Sequence, residues 1–290
     1  MSISSPAFTS HFSTLAPAYD VVLCDVWGVV HSSVVAFADA CDALTRFRQQ
    51  GGTVVLITNA PRPSAVVMTI LDGLKVPRAA YDAIVSSGDV TRAVIAARAG
   101  KRVFHVGPER DVPMFEGLDT PLAGVESADY VVCSGLFDDT TETPQDYAAL
   151  IATMRARALP MVCANPDVVV ERGDTLIYCA GAIADAYGAL GGEVLYCGKP
   201  YVPIYKTAIE KAASLRGGSP PALKRVLAIG DSVRTDLSGA SAFGLDCVFV
   251  TSRLHAEAFG SREAPDLAAL NAMFAAAGVT PKAVMRGLAW

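Results

Sequence analysis

Residues 19–33 read YDVVLCDVWGVVHSS, and the rest of the chain can be placed by working outward from them. Val21 to Cys24 is a short apolar run, rich in β-branched residues and bounded by polar ones. Such a run suits a strand buried on both faces of a parallel sheet. Asp25 follows at once, and Gly28 comes three residues later. A carboxylate at the end of a buried strand is costly unless a cation or hydrogen-bond donors meet it. The carboxyl ends of α/β strands are also where ligands gather. Taken alone, Asp25 could equally begin a turn.

The same grammar repeats downstream. Residues 36–50 carry Phe37, Cys41, Leu44 and Phe47 at helical spacing and stop at Gly51-Gly52. Val54 to Ile57 is a second buried-strand candidate ending in Thr58-Asn59, and a helix is expected from Ser64 to about Gly73. Residues 79–99 read as one or two more helices, with Ser87 as a cap. Strand–helix–strand–helix implies an α/β fold with a parallel sheet and right-handed crossovers. Shorter units follow: strands at 102–106, 130–133 and 160–164, the last closing in Asn165-Pro166-Asp167, and a helix at 144–158. Residues 83–187 are therefore expected to be a second α/β domain inserted between the halves 1–82 and 188–290 of the first. That first domain would resume with Val194–Cys197, then Gly198-Lys199-Pro200 and a helix from Val202 to Leu215. Strands at 225–229 and 247–250 complete it, and Gly230-Asp231-Ser232 and Asp236 follow the first of these two. Residues 1–18 are expected to be a loosely held arm. The tail after Arg253 is Ala-rich and ends in Trp290, an apolar residue better suited to packing than to chemistry.

Composition narrows the function. Of 290 residues, 52% are hydrophobic and 18% charged, with 24 Lys+Arg and a formal net charge of -5. Neither a disordered tail nor a nucleic-acid binder has that balance, so phosphate binding would have to be local. The odd cysteine count of seven, without a CxxC pair, suits buried thiols in a reducing compartment rather than disulfides or zinc. No stretch reaches transmembrane length, so no membrane partner is expected and the cytoplasm is the default. Apolar patches that would make a homodimer cannot be picked out by spacing.

Four loops end buried-strand candidates: Asp25 to Gly28, Thr58-Asn59, Gly198-Lys199, and Gly230 to Asp236. In one parallel sheet they would share an edge. Together they hold three acids, one lysine, a hydroxyl and an amide, a set that fits a divalent cation beside a phosphoryl group. Carboxylates suit hard Mg²⁺, and Lys, Thr and backbone donors suit phosphoryl oxygens. Each piece alone has a plainer use: Asp as a turn former, Thr58 as a helix cap, Lys199 as a solvated side chain. Their joint occurrence favours chemistry. The absence of GxGxxG after the first strand argues against a nucleotide-cofactor enzyme.

These motifs resemble the haloacid dehalogenase superfamily of phosphohydrolases, in its subclass IIA branch of NagD-like and phosphoglycolate/4-nitrophenyl phosphatase-like enzymes. The family's strand-DxDGV is matched by Asp25-Val26-Trp27-Gly28-Val29, its TN by Thr58-Asn59 and its GKP by Gly198-Lys199-Pro200. GDxxxTDxxGA appears as Gly230-Asp231, Thr235-Asp236 and Gly239-Ala240, and NPD as Asn165-Pro166-Asp167. The resemblance implies a Rossmann-like core with an inserted α/β cap of the C2 type, acting with Mg²⁺ on a small phosphorylated metabolite. It implies that Asp25 attacks phosphorus to form an aspartyl-phosphate. Asp25, Asp231 and the carbonyl of Trp27 would ligate the metal, with Asp236 in support. Thr58 and the Asn59 N–H would hold phosphoryl oxygens, Lys199 would join Asp25 to the phosphate charge, and Asn165 would meet substrate or shape a turn.

One residue departs from the pattern. The family places a second Asp two residues after the nucleophile, as acid and then base, whereas this chain has Trp27. Indole offers a donor N–H but no proton to trade near neutral pH. Three outcomes are consistent with the change: turnover restricted to good leaving groups, a substitute acid such as His31, or binding of a phosphorylated ligand with little turnover. Trp27 itself would be a wall for substrate or a packed ring.

Overall fold

The computed structural model describes residues 7–32, 34–172, 175–251, 260–261 and 264–290. Ser33, residues 1–6 of the expected arm and residues 252–259 and 262–263 of the tail lie outside the described residues. The first strands are β1 (Ala7–Phe8), β2 (Val21–Asp25), β3 (Thr53–Thr58), β4 (Ala83–Ser86), β5 (Val103–Val106), β6 (Tyr130–Cys133) and β7 (Met161–Cys163). They are followed by β8 (Val169–Arg172), β9 (Thr175–Tyr178), β10 (Val194–Tyr196), β11 (Val226–Gly230), β12 (Asp246–Val250), β13 (Gly260–Ser261), β14 (Ala264–Pro265) and β15 (Ala283–Met285). The helices are α1 (Ala38–Gln49), α2 (Ser64–Gly73), α3 (Ser87–Ala96), α4 (Ala148–Ala156), α5 (Ala180–Ala189), α6 (Val202–Leu215), α7 (Ser238–Phe243) and α8 (Leu267–Ala277). Among the described residues no helix is long and apolar enough to cross a membrane. The chain divides into two compact units, Met1–Thr58 with Met68–Val85 and Tyr205–Trp290, and Asn59–Val67 with Ser86–Ile204.

The first unit is built on a seven-stranded sheet in the order β1-β15-β12-β11-β2-β3-β4. From β1 to β3 the strands pair in parallel. Every residue of β2, β3 and β11 is buried, as their unbroken apolar runs require of central parallel strands. The register sets Leu23 between Val55 and Ala228, and Cys24 between Leu56 and Ile229. One residue on, Asp25 lies opposite Ile57, so Asp25, Thr58 and Gly230 reach the same carboxyl edge. Each buried Val, Leu or Ile side chain contributes roughly 1.5–3 kcal/mol, so the register that aims these residues is held by the sheet's interior. Helix α1 buries Ala40, Cys41, Ala43, Leu44 and Phe47, the stripe read from its spacing.

The chain start is not loosely held over its described part. Ala7 and Phe8 pair with Ala283 and Val284, the Phe12 amide donates to the Ala289 carbonyl at 2.7 Å, and the rings of Phe12 and Trp290 meet edge-on at 5.9 Å. Apolar residues spaced too irregularly for a helix hid this closure, because the contact is made with the far end of the chain.

The second unit has a four-stranded parallel sheet, β10-β7-β6-β5, and an antiparallel hairpin, β8-β9. Its core packs Val131, Ile151, Met154, Ile183 and Tyr187 around the fully buried Cys133 and Cys163. Two expectations are corrected here. Val194–Tyr196 does not resume the first sheet but pairs with Met161–Cys163, so the division falls after Ile204 rather than between 187 and 188. A three-residue apolar strand carries too little pattern to say which sheet it joins. Residues 79–99 likewise contain a strand, β4, before helix α3. Ser86, not Ser87, is the cap: its hydroxyl accepts from the Asp89 amide at 3.0 Å, and the Asp89 carboxylate accepts from the Ser86 amide at 3.0 Å. All seven cysteines are buried free thiols.

Candidate active site

Three acids meet in the first unit. Asp25, Asp231 and Asp236 each place a carboxylate oxygen within 4.8 Å of the other two, and all three residues are buried. Asp25 ends β2 and Asp231 follows the last residue of β11, so the strand pairing alone brings them side by side. Asp236 arrives by a different device, a single π turn over Val233–Leu237. Such turns concentrate at functional sites because they re-aim one side chain within a helix start. The Ser232 hydroxyl caps this turn by accepting from the Thr235 amide at 3.3 Å, and the Ser232 amide donates to Asp236 Oδ2 at 3.2 Å. From behind, the Tyr205 hydroxyl donates to the carbonyl of Thr235 at 3.3 Å.

Two glycines leave the acids their room. Gly28 has φ +88°, and a Cβ built on it would stand 2.0 Å from Asp231 Oδ2. A Cβ on Gly230 would stand 2.1 Å from Asp236 Cγ. The turn after Asp25 is closed by the Gly28 amide donating to the His31 carbonyl at 2.8 Å and by Trp27 and His31 forming an isolated bridge. Trp27 is partly exposed, whereas His31 is buried. Burial lowers the His31 pKa below its ordinary value, only partly opposed by the Ser32 carbonyl on Nδ1. The ring is therefore mostly neutral at pH 7.

The donor set fits the expected cation. Three clustered carboxylates without thiol or imidazole suit a hard dication such as Mg²⁺ rather than zinc. Buried carboxylates this close repel one another unless a cation or protons lie among them.

In the second unit the remaining expected residues form their own cluster. Lys199 is only 2% exposed. Its amide donates to Asn59 Oδ1 at 2.7 Å, and its carbonyl accepts from Asn59 Nδ2 at 3.0 Å. Asn59 Nδ2 also donates to Asp167 Oδ1 at 2.9 Å. Asn165 Oδ1 accepts from the Asp167 amide at 3.0 Å, so its side chain shapes the Asn165-Pro166-Asp167 turn. Thr58, buried at the end of β3, is joined to Asn59 by the chain itself. Spacing did not reveal that Asp167 belongs with Asn59. The NPD run was the visible signal, but a turn-forming sequence does not say what the turn holds.

Comparison with known proteins follows the same lines. The family described as haloacid dehalogenase-like hydrolase matches residues 22–120, and that described as HAD-hydrolase-like matches residues 196–272. The ribonucleotide monophosphatase NagD of Escherichia coli (strain K12) is 23% identical over 235 residues, covering 80% of this chain and 87% of that protein. A solved glycerol phosphate phosphatase, Rv1692 of Mycobacterium tuberculosis in complex with magnesium, is 25% identical with a TM-score of 0.63, over 87% of this chain and 72% of its own. A solved hydrolase of the haloacid dehalogenase-like family from Brucella suis 1330 is 44% identical with a TM-score of 0.84, over 97% of this chain and 100% of its own. With that identity across both full lengths, and with the acids of its first and fourth motifs gathered at one sheet edge, the chain belongs to the haloacid dehalogenase-like hydrolase family.

Proposed function

We propose that this chain is a Mg²⁺-dependent phosphatase that takes the phosphoryl group of a small phosphorylated metabolite onto Asp25. The buried cluster of Asp25, Asp231 and Asp236 carries the reading. The phosphatase activities named for the E. coli and M. tuberculosis relatives support the reaction class. Asp25, Asp231 and the Trp27 carbonyl would hold Mg²⁺, with Asp236 as direct or supporting ligand. When bound, the ion supplies charge for the phosphoryl oxygens.

In the first step a carboxylate oxygen of Asp25 forms a bond to phosphorus as the bond to the leaving oxygen breaks. The Thr58 hydroxyl and Asn59 N–H hold phosphoryl oxygens, and Lys199 offsets their charge. In the second step water attacks phosphorus, the bond to Asp25 breaks, and orthophosphate leaves with the carboxylate restored. Each step benefits from a proton donor or acceptor that Trp27 cannot be. General acid–base help is typically worth about 10²- to 10⁴-fold, so substrates whose leaving group is a stable anion, such as acyl phosphates and activated esters, are favoured. His31 can serve as the missing acid only where it is charged, in acid solution, because burial moves its titration below the ordinary imidazole range.

Trp27 also supports a second reading, a protein that binds a phosphorylated ligand on this fold with little turnover. Assays with Mg²⁺ on 4-nitrophenyl phosphate, acetyl phosphate and a panel of sugar and small-acid phosphates separate the two. Hydrolysis of at least acetyl phosphate is expected; silence across the panel with binding retained would establish the second reading.

A further inference from the structure

Both polar atoms of the Asn59 side chain are engaged. Oδ1 takes the Lys199 amide at 2.7 Å, and the two protons of Nδ2 go to the Lys199 carbonyl at 3.0 Å and Asp167 Oδ1 at 2.9 Å. Both main-chain polar groups of Lys199 are thus held by one amide. Such an amide has two orientations that differ by exchange of oxygen and nitrogen. Reversed, it would set Oδ1 against the Asp167 carboxylate and the Lys199 carbonyl, acceptor facing acceptor, and its NH₂ against the Lys199 N–H. An ionised carboxylate only accepts, so Asp167 reinforces the orientation that the Lys199 N–H and carbonyl already require, and holds the amide against them.

The loop that carries Asp167 is itself built to stay in place. Asn165 Oδ1 ties down the Asp167 amide at 3.0 Å. A Cβ on Gly181 would stand 2.3 Å from the Pro166 carbonyl oxygen and 2.5 Å from that of Asp167, so helix α5 starts directly against the turn. A Cβ on Gly198 would stand 2.3 Å from Asn59 Oδ1 and 2.6 Å from Pro166 Cδ, so the residue before Lys199 is packed against both the amide and the turn. These contacts join four chain segments, at residues 59, 165–167, 181 and 198–199.

We propose that Asp167 is a positioning residue for Lys199, acting through the Asn59 amide, and that Asn59's side chain serves this clamp rather than the substrate. The catalytic consequence rests on the phosphatase reading above; the clamp does not. Losing the acceptor removes one of the three hydrogen bonds that hold the amide and loosens its grip on the Lys199 main chain. A charged group displaced by about 1 Å can cost on the order of 10²-fold in rate.

Hydrogen exchange of the Lys199 amide, followed by NMR in the full chain, reads the clamp directly. Steady-state kinetics on the best substrate read its consequence. Asp167→Ala is expected to speed that exchange at least about ten-fold and to lower kcat about ten- to hundred-fold with KM within about three-fold. Asp167→Asn, whose amide can turn its oxygen to Asn59, is expected to restore both to within about three-fold of the wild type. Where Asp167→Ala does not fold, Asn59→Ala, which removes the amide that holds both Lys199 main-chain groups, carries the test, with the same faster exchange and slower turnover expected. Unchanged Lys199 exchange in Asp167→Ala, or Asp167→Asn as damaging as Asp167→Ala, would overturn the proposal. Absence of turnover in the wild type would sink the phosphatase reading and leave the exchange result to decide the clamp.

Discussion

The α-carbon of Gly28 rests against the carboxylate of Asp231, so closely that a methyl group on the glycine would stand 2.0 Å from Oδ2. Gly28→Ala should therefore do two separate things. The left-handed backbone, φ +88°, makes alanine cost on the order of 1–2 kcal/mol, and the new methyl must push Asp231 off the acid cluster. Gly51 separates them, since it has φ +87° with nothing within 4 Å of an added Cβ. Thermal unfolding should show both Ala variants destabilised. Titration with Mg²⁺ should show weakened binding in Gly28→Ala alone; equal loss in both would mean that the glycine matters only for its backbone.

Asp25→Asn removes the attacking charge while keeping the shape of the side chain. Turnover should fall to background. Acid-quenched wild-type enzyme should carry a phosphoryl group on the peptide containing Asp25, and the variant should carry none. Turnover at the wild-type rate in Asp25→Asn would rule out the covalent route.

Trp27→Asp restores the carboxylate that the family places two residues after the nucleophile. An acid helps most where the leaving oxygen is basic. The variant's kcat/KM should rise far more for alkyl phosphates than for acetyl phosphate. A uniform gain on both would refute the idea that the missing acid limits the substrate range.

Two histidines, His31 buried and His105 partly buried, give a stability signature in pH. Burial lowers the pKa of His105 to about 4 and moves that of His31 in the same direction. The unfolded chain then binds protons that the folded one refuses, so stability is fully present above about pH 6.5 and declines as pH falls toward 4. For His105 the loss is at most on the order of 3 kcal/mol. His105 Nε2 lies 2.9 Å from Ser134 Oγ, a contact that glutamine can keep. Denaturant unfolding between pH 7 and pH 4 should therefore show a shallower decline in His105→Gln than in the wild type. Identical slopes would contradict the assignment.

What the chain disclosed in advance depended on how far each signal reached. Asp25 was legible because a strand buried on both faces is written as an unbroken apolar run, and the acid breaks it at the edge where ligands gather. Asp231 and Thr58 were legible for the same reason. Lys199 was legible as a motif but not as a place, because Val194–Tyr196 is too short to declare its sheet. The motif gives a use to the Asn59 N–H but none to its side chain, whose three hydrogen bonds go to residues more than a hundred positions away. The packing of Gly28 on Asp231 escaped for a related reason. A glycine in a motif shows that a turn needs space, not which distant group occupies it.

The central claim is that the three acids hold a divalent cation with Asp25 turned toward phosphorus. A crystal structure with saturating Mg²⁺ and vanadate tests it most directly. Octahedral metal density about 2.0–2.1 Å from oxygens of Asp25 and Asp231, with vanadium on the other oxygen of Asp25, is the predicted result. Vanadate bound elsewhere, or Asp25 and Asp231 turned apart without metal between them, would contradict the account.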